Sequence, residues 1–408
     1  MSKWEEKRLE DIIDVNPPVK LKKGESYPFI DIDKVSPTRR SVTNEEVKVY
    51  DGQSSSKFCD GDTVFSRITP CLENRKIAKV SINGDAAFGS TEFYVFRAKK
   101  KKADARFTYY LTSSDAVVLP AINSMTGASG RQRADKRFIQ RLKLNLPDLP
   151  TQERIADILS AYDDLIEANN RRIELLEQTA QELYKEWFVR FRFPGYENAK
   201  FEDGLPENWS YVRFGKAIEI IDGDRGVNYP KQEEFYPEGD CLFLNTGNVT
   251  AKGFDFSSCS YITKEKDAIL RKGKLQHGDV VLTTRGTVGN VAFYNETMTF
   301  SEMRINSGMV ILRNLGVVST EYIYTALRHE YLQKLMTLYA SGSAQPQLPI
   351  KDMKRMKIIK PDAKTMERFT EMSADIYNQI SLLIMKNQTL SKQRDMLLPR
   401  LMIGKLEV

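Results

Sequence analysis

The chain repeats itself. At an offset of 214 residues Gln152-Glu153-Arg154-Ile155 lies over Met366-Glu367-Arg368-Phe369, and the register holds for about sixty residues. Within it Leu176 meets Leu390, Leu183 meets Leu397, and Arg141-Leu142-Lys143-Leu144 before Pro147 meets Arg355-Met356-Lys357-Ile358 before Pro361. Upstream the offset drifts by a few residues, as loop insertions would cause. Asp60-Gly61-Asp62-Thr63-Val64-Phe65-Ser66-Arg67 echoes His277-Gly278-Asp279-Val280-Val281-Leu282-Thr283-Thr284-Arg285, Glu92 to Arg97 echoes Gly308 to Arg313, and Trp4 echoes Trp209. Two copies of a long period make a two-fold device, not a solenoid.

Each copy has two parts. The first, about 1–147 and about 205–360, alternates short β-branched runs with Gly, Asn and Asp turns. The runs Val42 to Tyr50, Thr63 to Ser66, Ile77 to Ile82, Phe93 to Phe96, Val280 to Thr284, Val291 to Tyr294 and Met309 to Arg313 predict strands, with helices near Phe107 to Leu111 and Glu321 to Tyr339. In the second part apolar residues recur at steps of four and three. Ile155, Leu159, Tyr162, Ile166, Ile173, Leu176, Leu183 and Trp187 form the first series, broken by Asn169. Phe369, Ile376, Ile380, Leu383, Leu390, Leu397 and Leu401 form the second, with Asn387 among its polar breaks. That is a heptad seam, narrower than the stripe of a helix packed on its own domain. Close to forty residues make a helix on the order of 55 Å long, and the expected partner is the other copy's helix, antiparallel. Asn169 and Asn387 are expected at different heptad positions, each penalising wrong registers. The predicted class is α+β, with two α/β domains related by pseudo-two-fold symmetry and separated by an antiparallel coiled coil. The boundaries are 1–150 and 194–360 for the domains, 151–193 and 361–408 for the helices.

Composition narrows the function. The chain is 41% hydrophobic and 28% charged, the profile of a globular protein, and a net charge of +6 is compatible with a polyanionic partner. No run is long and apolar enough to span a bilayer and the N-terminus lacks a signal core, so the cytoplasm is the expected compartment. Cys59, Cys71, Cys241 and Cys259 form no Cys-x-x-Cys, and His277 and His329 are the only histidines, so no metal site is expected.

No two glycines are separated by a single residue, which removes the Gly-x-Gly turn of dinucleotide folds and of most adenosylmethionine-dependent methyltransferases. No Gly-Lys pair continues into a phosphate loop. Asn16-Pro17-Pro18-Val19 resembles the motif that holds a flipped adenine, but Val19 stands where an aromatic ring must stack, so a stiffened turn is the better reading. Pro147-Asp148 and Pro361-Asp362 lack the Glu-x-Lys of a metal-dependent nuclease and read as loop punctuation.

The order of parts resembles the specificity subunit of Type I restriction-modification systems over essentially the whole chain. The resemblance rests on the Gly-Asp-(Thr/Val)-Val hairpin in each half and the Leu-Pro-Thr-Gln-Glu-Arg-Ile-Ala opening of the first helix (Leu149 to Ala156). It rests also on Leu-Tyr-Lys-Glu-Trp-Phe (Leu183 to Phe188) and on Leu397 to Leu406 at the terminus. The second helix departs from the family's usual opening, with Met366 where Gln is usual. The resemblance implies a non-catalytic subunit in which each domain reads one half of a split, asymmetric DNA target. The helices would fix the spacing and dock two methyltransferase subunits, joined for cleavage by a restriction and translocase subunit. Adenosylmethionine, ATP and magnesium would belong to those partners, with no cofactor in this chain.

DNA reading is then expected in four loops. After the hairpins these are Arg67, Thr69, Asn74, Arg75 and Lys76, and Thr284, Arg285 and Thr287; before the helices, Ser129, Arg131, Gln132 and Arg133, and Ser343, Gln345 and Gln347. Arg can chelate guanine, Asn pairs with adenine, and hydroxyls serve base or phosphate. The run Lys99 to Lys102 reads as an exposed loop or a phosphate contact. Two other readings compete: the recognition portion of a single-chain restriction or methyltransferase enzyme, and a repeat scaffold independent of DNA. The first is disfavoured because both repeats look whole; the second by the basic Gly/Ser/Arg loops.

Overall fold

The two Gly-Asp hairpins explain why each globular part folds as it does. Gly61 (φ +79°) and Gly278 (φ +90°) take the left-handed turn that a side chain would resist. The turn delivers Asp62 and Asp279 at the start of a wholly buried strand, Thr63–Ser66 or Asp279–Thr283. Each carboxylate, 2% and 1% exposed, accepts a two-pronged pair from an arginine on the neighbouring strand. Arg97 Nε and Nη2 stand 2.7 and 2.6 Å from Asp62, and Arg313 Nε and Nη2 stand 2.9 and 2.7 Å from Asp279. Each Asp also takes a backbone N–H from its own turn, Cys59 at 2.7 Å and Gln276 at 2.8 Å. A buried carboxylate is thereby satisfied in the way burial demands.

A computed structural model describes residues 4–37, 39–43, 46–128, 130–342 and 346–408. The chain divides into two compact units, Met1–Ile166 with Leu390–Val408, and Glu167–Thr389. Both long helices cross that division, so each unit holds one globular part and one end of each helix.

In the first unit Ile13–Val15, Phe93–Ala98, Thr63–Ser66, Ile77–Ser81 and Ser41–Thr43 lie in that order in a five-stranded sheet. Ser26–Ile30 runs parallel to Ala87–Gly89 in a second sheet of four strands. Trp4–Arg8 pairs antiparallel with Lys143–Pro147, closing the domain where the chain enters and leaves it. The expected strand Val42 to Tyr50 is corrected: Ser41–Thr43 joins the first sheet and Glu46–Val49 the second. Val42 is buried whereas Val47 and Val49 stand exposed on an edge, so β-branching alone hid two environments. Asp104 caps the helix Ala105–Ser113, and a second helix, Asp115–Asn123, follows it.

The second unit repeats the plan. Ile218–Asp222, Met309–Asn314, Asp279–Thr283 and Val291–Tyr294 form a four-stranded sheet in the equivalent order, and Cys241–Leu244 runs parallel to Met303–Ile305. Ser210–Arg213 pairs with Lys357–Lys360 as the closing ribbon. The single helix expected over Glu321 to Tyr339 is two, Thr320–Arg328 and Glu330–Tyr339, because His329 is extended and caps the next turn.

The long helices are Leu149–Tyr184, continued by one π-helical turn Lys185–Val189, and Ala363–Met402. The Pro-Asp pairs are their start signals rather than loop punctuation: Asp148 accepts Thr151 N–H at 3.1 Å and Asp362 accepts Thr365 N–H at 3.0 Å. All the heptad positions from Ile155 to Trp187 and from Phe369 to Leu401 are buried or half-buried. Pairing is antiparallel within each unit: Arg394 meets Asp163 in the first, and in the second Arg172 meets Gln379 and Asn169 meets Asn387. Asn169 Nδ2 donates to Asn387 Oδ1 at 2.7 Å, and Asn387 Nδ2 donates to Asn170 Oδ1 at 2.9 Å. Asn387 is therefore satisfied by Asn169 and Asn170 together across one level, where separate register penalties were expected. The narrow seam is corrected toward the helix ends. Ile155, Ala156, Leu159, Leu401 and Met402 belong to the core of the first unit, and Tyr184, Trp187, Phe188, Phe369 and Tyr377 to that of the second. There the apolar stripe is wide because the globular part covers the helix flank as well. Burying each of the larger side chains among these stabilises by roughly 1.5–3 kcal/mol.

Candidate nucleic-acid interface

Beyond the buried strand of each hairpin the chain turns outward and is caught by the loop that precedes the short helix before the closing ribbon. In the first unit Ala134 N–H donates to Arg67 O at 2.8 Å, Thr69 N–H donates to Gln132 O at 3.0 Å, and Arg67 N–H donates to Glu92 O at 2.9 Å. Gln132 N–H donates to Thr69 Oγ1 at 3.1 Å, and single antiparallel bridges link Arg133 to Ile68 and to Thr126. The second unit builds the same clamp from Leu348 N–H to Thr284 O at 3.0 Å and Thr284 N–H to Gly308 O at 2.9 Å, with bridges from Gln347 to Arg285 and Ser341. Backbone pairing thus places Arg67 opposite Thr284 in the repeat, Ile68 opposite Arg285, Glu92 opposite Gly308 and Arg133 opposite Gln347. Ending both hairpin strings on their arginine sets Arg67 against Arg285, one residue out of step with this pairing.

The side chains on this shared frame differ in kind. Glu92, which is not among the expected readers, receives Arg133 Nε at 2.9 Å and Arg133 Nη2 at 2.6 Å, and Arg67 Nε at 3.2 Å. The hydrogen bond from Arg133, with the charges of both arginines, holds the Glu92 carboxyl below its ordinary range against the opposing effect of burial. Arg67 also lies 5.5 Å from the Tyr94 ring, whose hydroxyl donates to Ala134 O at 2.7 Å. Arg75 is turned to the helices, on Ser113 O at 3.1 Å and on Asp115, and Lys76 Nζ donates to Ile32 O at 3.0 Å. Asn74 and Arg131 are exposed and hold no side-chain hydrogen bond or ion pair among the described residues.

In the second unit Thr284 is 4% exposed, and its hydroxyl donates to Gly308 O at 3.1 Å. It is corrected from reader to frame, since its donor is spent inside the fold. Thr287 and Gln347 are exposed, and Arg285 is half-buried with Nε covered and unbonded among the described residues. An orphaned donor of that kind costs about 1–3 kcal/mol until an acceptor meets it. Ser129, Ser343 and Gln345 lie outside the described residues. The Lys99 to Lys102 run is partly structural, with Lys99 Nζ on Glu10 O and 3.6 Å from Asp14. Asn16, in the flipped-base look-alike, takes φ +56° and accepts Val95 N–H on Oδ1 at 2.9 Å, a structural turn.

Comparison with known proteins gives a consistent picture. The sequence matches the Type I restriction modification DNA specificity domain over residues 1–178 and again over 206–390. It is 23% identical to the Type I restriction enzyme MjaIX specificity subunit of Methanocaldococcus jannaschii, over 99% of this chain and 94% of that one. It is 24% identical to the Type I restriction enzyme HindI specificity subunit of Haemophilus influenzae, over 88% of this chain and 90% of that one. Among solved structures, the Type-I restriction-modification system S subunit from M. genitalium has the same fold, with a TM-score of 0.54 at 13% identity over 98% of this chain and 96% of that one.

Proposed function

The chain belongs to the Type I restriction-modification DNA specificity family, and from that premise we propose that each unit reads one half of a bipartite, asymmetric DNA target through its clamped loops. It is a specificity subunit, not an enzyme. What carries the two-reader proposal is the repeated clamp: one backbone frame occurs twice, bearing Glu92, Arg67 and Arg133 in one unit and Gly308, Thr284 and Gln347 in the other. A frame held constant under different polar groups suits two different half-sites.

Residues 1–150 and 194–360 act as the readers, and the helices over 151–193 and 361–408 as spacer and docking surface for two methyltransferase subunits. A restriction and translocase subunit joins through these. Adenosylmethionine, ATP and magnesium act in the partners, and the assembly works in the cytoplasm; no helix among the described residues is long and apolar enough to cross a membrane. The test is methylome sequencing of cells that express the chain with its methyltransferase subunits. A bipartite motif that appears with this chain is expected. A motif that stays the same when another specificity subunit replaces it would refute the reading.

A further inference from the structure

The two arginines gathered on Glu92 in the first unit are not equivalent. Arg133 meets the carboxylate side-on, through Nε and Nη2, and a guanidinium paired that way keeps its opposite edge, Nη1 with the second Nη2 hydrogen, unspent. That end-on edge is the fork whose spacing matches guanine O6 and N7 in a major groove. Arg133 is 45% exposed on its side chain and lies in the same loop as exposed Arg131. Arg67, 30% exposed, gives only Nε to the shared oxygen at 3.2 Å and lies 5.5 Å from the Tyr94 ring. It acts as a second cation that keeps Glu92 ionised in place. A long side chain loses much rotamer freedom when it reads a base, and a carboxylate brace removes that cost beforehand.

We propose that Arg133, braced side-on by Glu92, reads a guanine in the half-site recognised by the first unit, with Glu92 as its positioning residue. Among the described residues the second unit has no such device, because Gln347 and Gly308 stand at the equivalent places. The inference rests on the DNA-reading function proposed above and adds the base, the reader and the brace.

The full chain is expressed with its methyltransferase subunits in cells that lack the system, as native protein and as Arg133→Lys, Glu92→Gln and Gln347→Ala, and the methylomes are sequenced. Arg133→Lys keeps the charge on an exposed side chain, so assembly, checked by co-purification, is expected to survive. Arg133→Lys and Glu92→Gln should each relax discrimination at the same guanine of one half-site by roughly ten- to a hundredfold, with the other half-site and the spacer unchanged. Gln347→Ala should leave that half-site untouched. If methylation falls evenly at an intact motif, Arg133 touches phosphate and the proposal is overturned. It is equally overturned if the motif survives Arg133→Lys unchanged, while the broader reading stands. If the native chain brings no bipartite motif at all, that reading fails and takes this inference with it.

Discussion

The Gly-Asp motifs act at single residues as frame, not as readers. Asp62 and Asp279 are buried beneath Arg97 and Arg313, and each pair pins the hairpin to the strand that leads from the clamp. Removing one partner leaves the other half of a buried pair uncompensated. Asp279→Ala should therefore destabilise the chain by about 3 kcal/mol, seen as a lowered thermal midpoint; a midpoint within a degree of native would contradict the assignment. Exposed Arg131 should behave differently. Arg131→Ala is expected to weaken DNA binding by the assembled complex evenly across sequences and to reduce the salt slope by about one; a change of motif with an unchanged slope would make it a base reader instead. The sequence exposed the loops but not the roles within them. Arg67 and Arg285 look alike in a string, yet counting on from each Gly-Asp pair without a gap sets Arg67 over Thr284 and Ile68 over Arg285, and the strand pairing agrees. Glu92 drew no attention because its importance depends on Arg133, distant in sequence and brought near only by the clamp.

The strands and long helices were the most legible elements. Thr63–Ser66, Asp279–Thr283 and the first four residues of Met309–Asn314 are recognisable because they are buried on both faces and carry short apolar runs. What periodicity cannot supply is the partner of each face, so the helix ends, wrapped by their own domains, read as a narrow seam. Nor could it supply the level at which two antiparallel helices meet, which is why the contact of Asn169 with Asn387 was missed. That contact gives a sharp test. Asn387→Leu alone leaves the Asn169 amide and Asn170 Oδ1 short of a partner at a largely buried level, and should cost about 1–3 kcal/mol. Asn169→Leu with Asn387→Leu should recover the share of that loss due to the Asn169 amide, because two apolar groups can pack where two amides had paired, while Asn170 Oδ1 still lacks its donor. A double-mutant cycle on thermal stability measures the coupling, and strict additivity would mean that the asparagines act separately.

For the whole molecule the consequential fact is continuity: the helices Leu149–Tyr184 and Ala363–Met402 both pass from one compact unit into the other without a break. If they set the separation of the readers, their length is encoded in the target. A four-residue insertion in each helix, near Asn169 and near Leu383, lengthens the pair by about 6 Å, and DNA advances about 3.4 Å per base pair, so the nonspecific spacer should grow by roughly one to two base pairs. Four residues make about one turn, so the apolar stripe stays nearly in register. Two residues rotate it by about 200°, carrying polar positions into the seam and Asn169 away from Asn387, so that variant should lose stability instead. Both half-sites should be read unchanged in the four-residue variant, since neither clamp is touched. Methylome sequencing of the length variants reports all of this at once. Methylation by the four-residue variant at the parental spacing would show that the helices do not set the distance and that the docked methyltransferases position the readers.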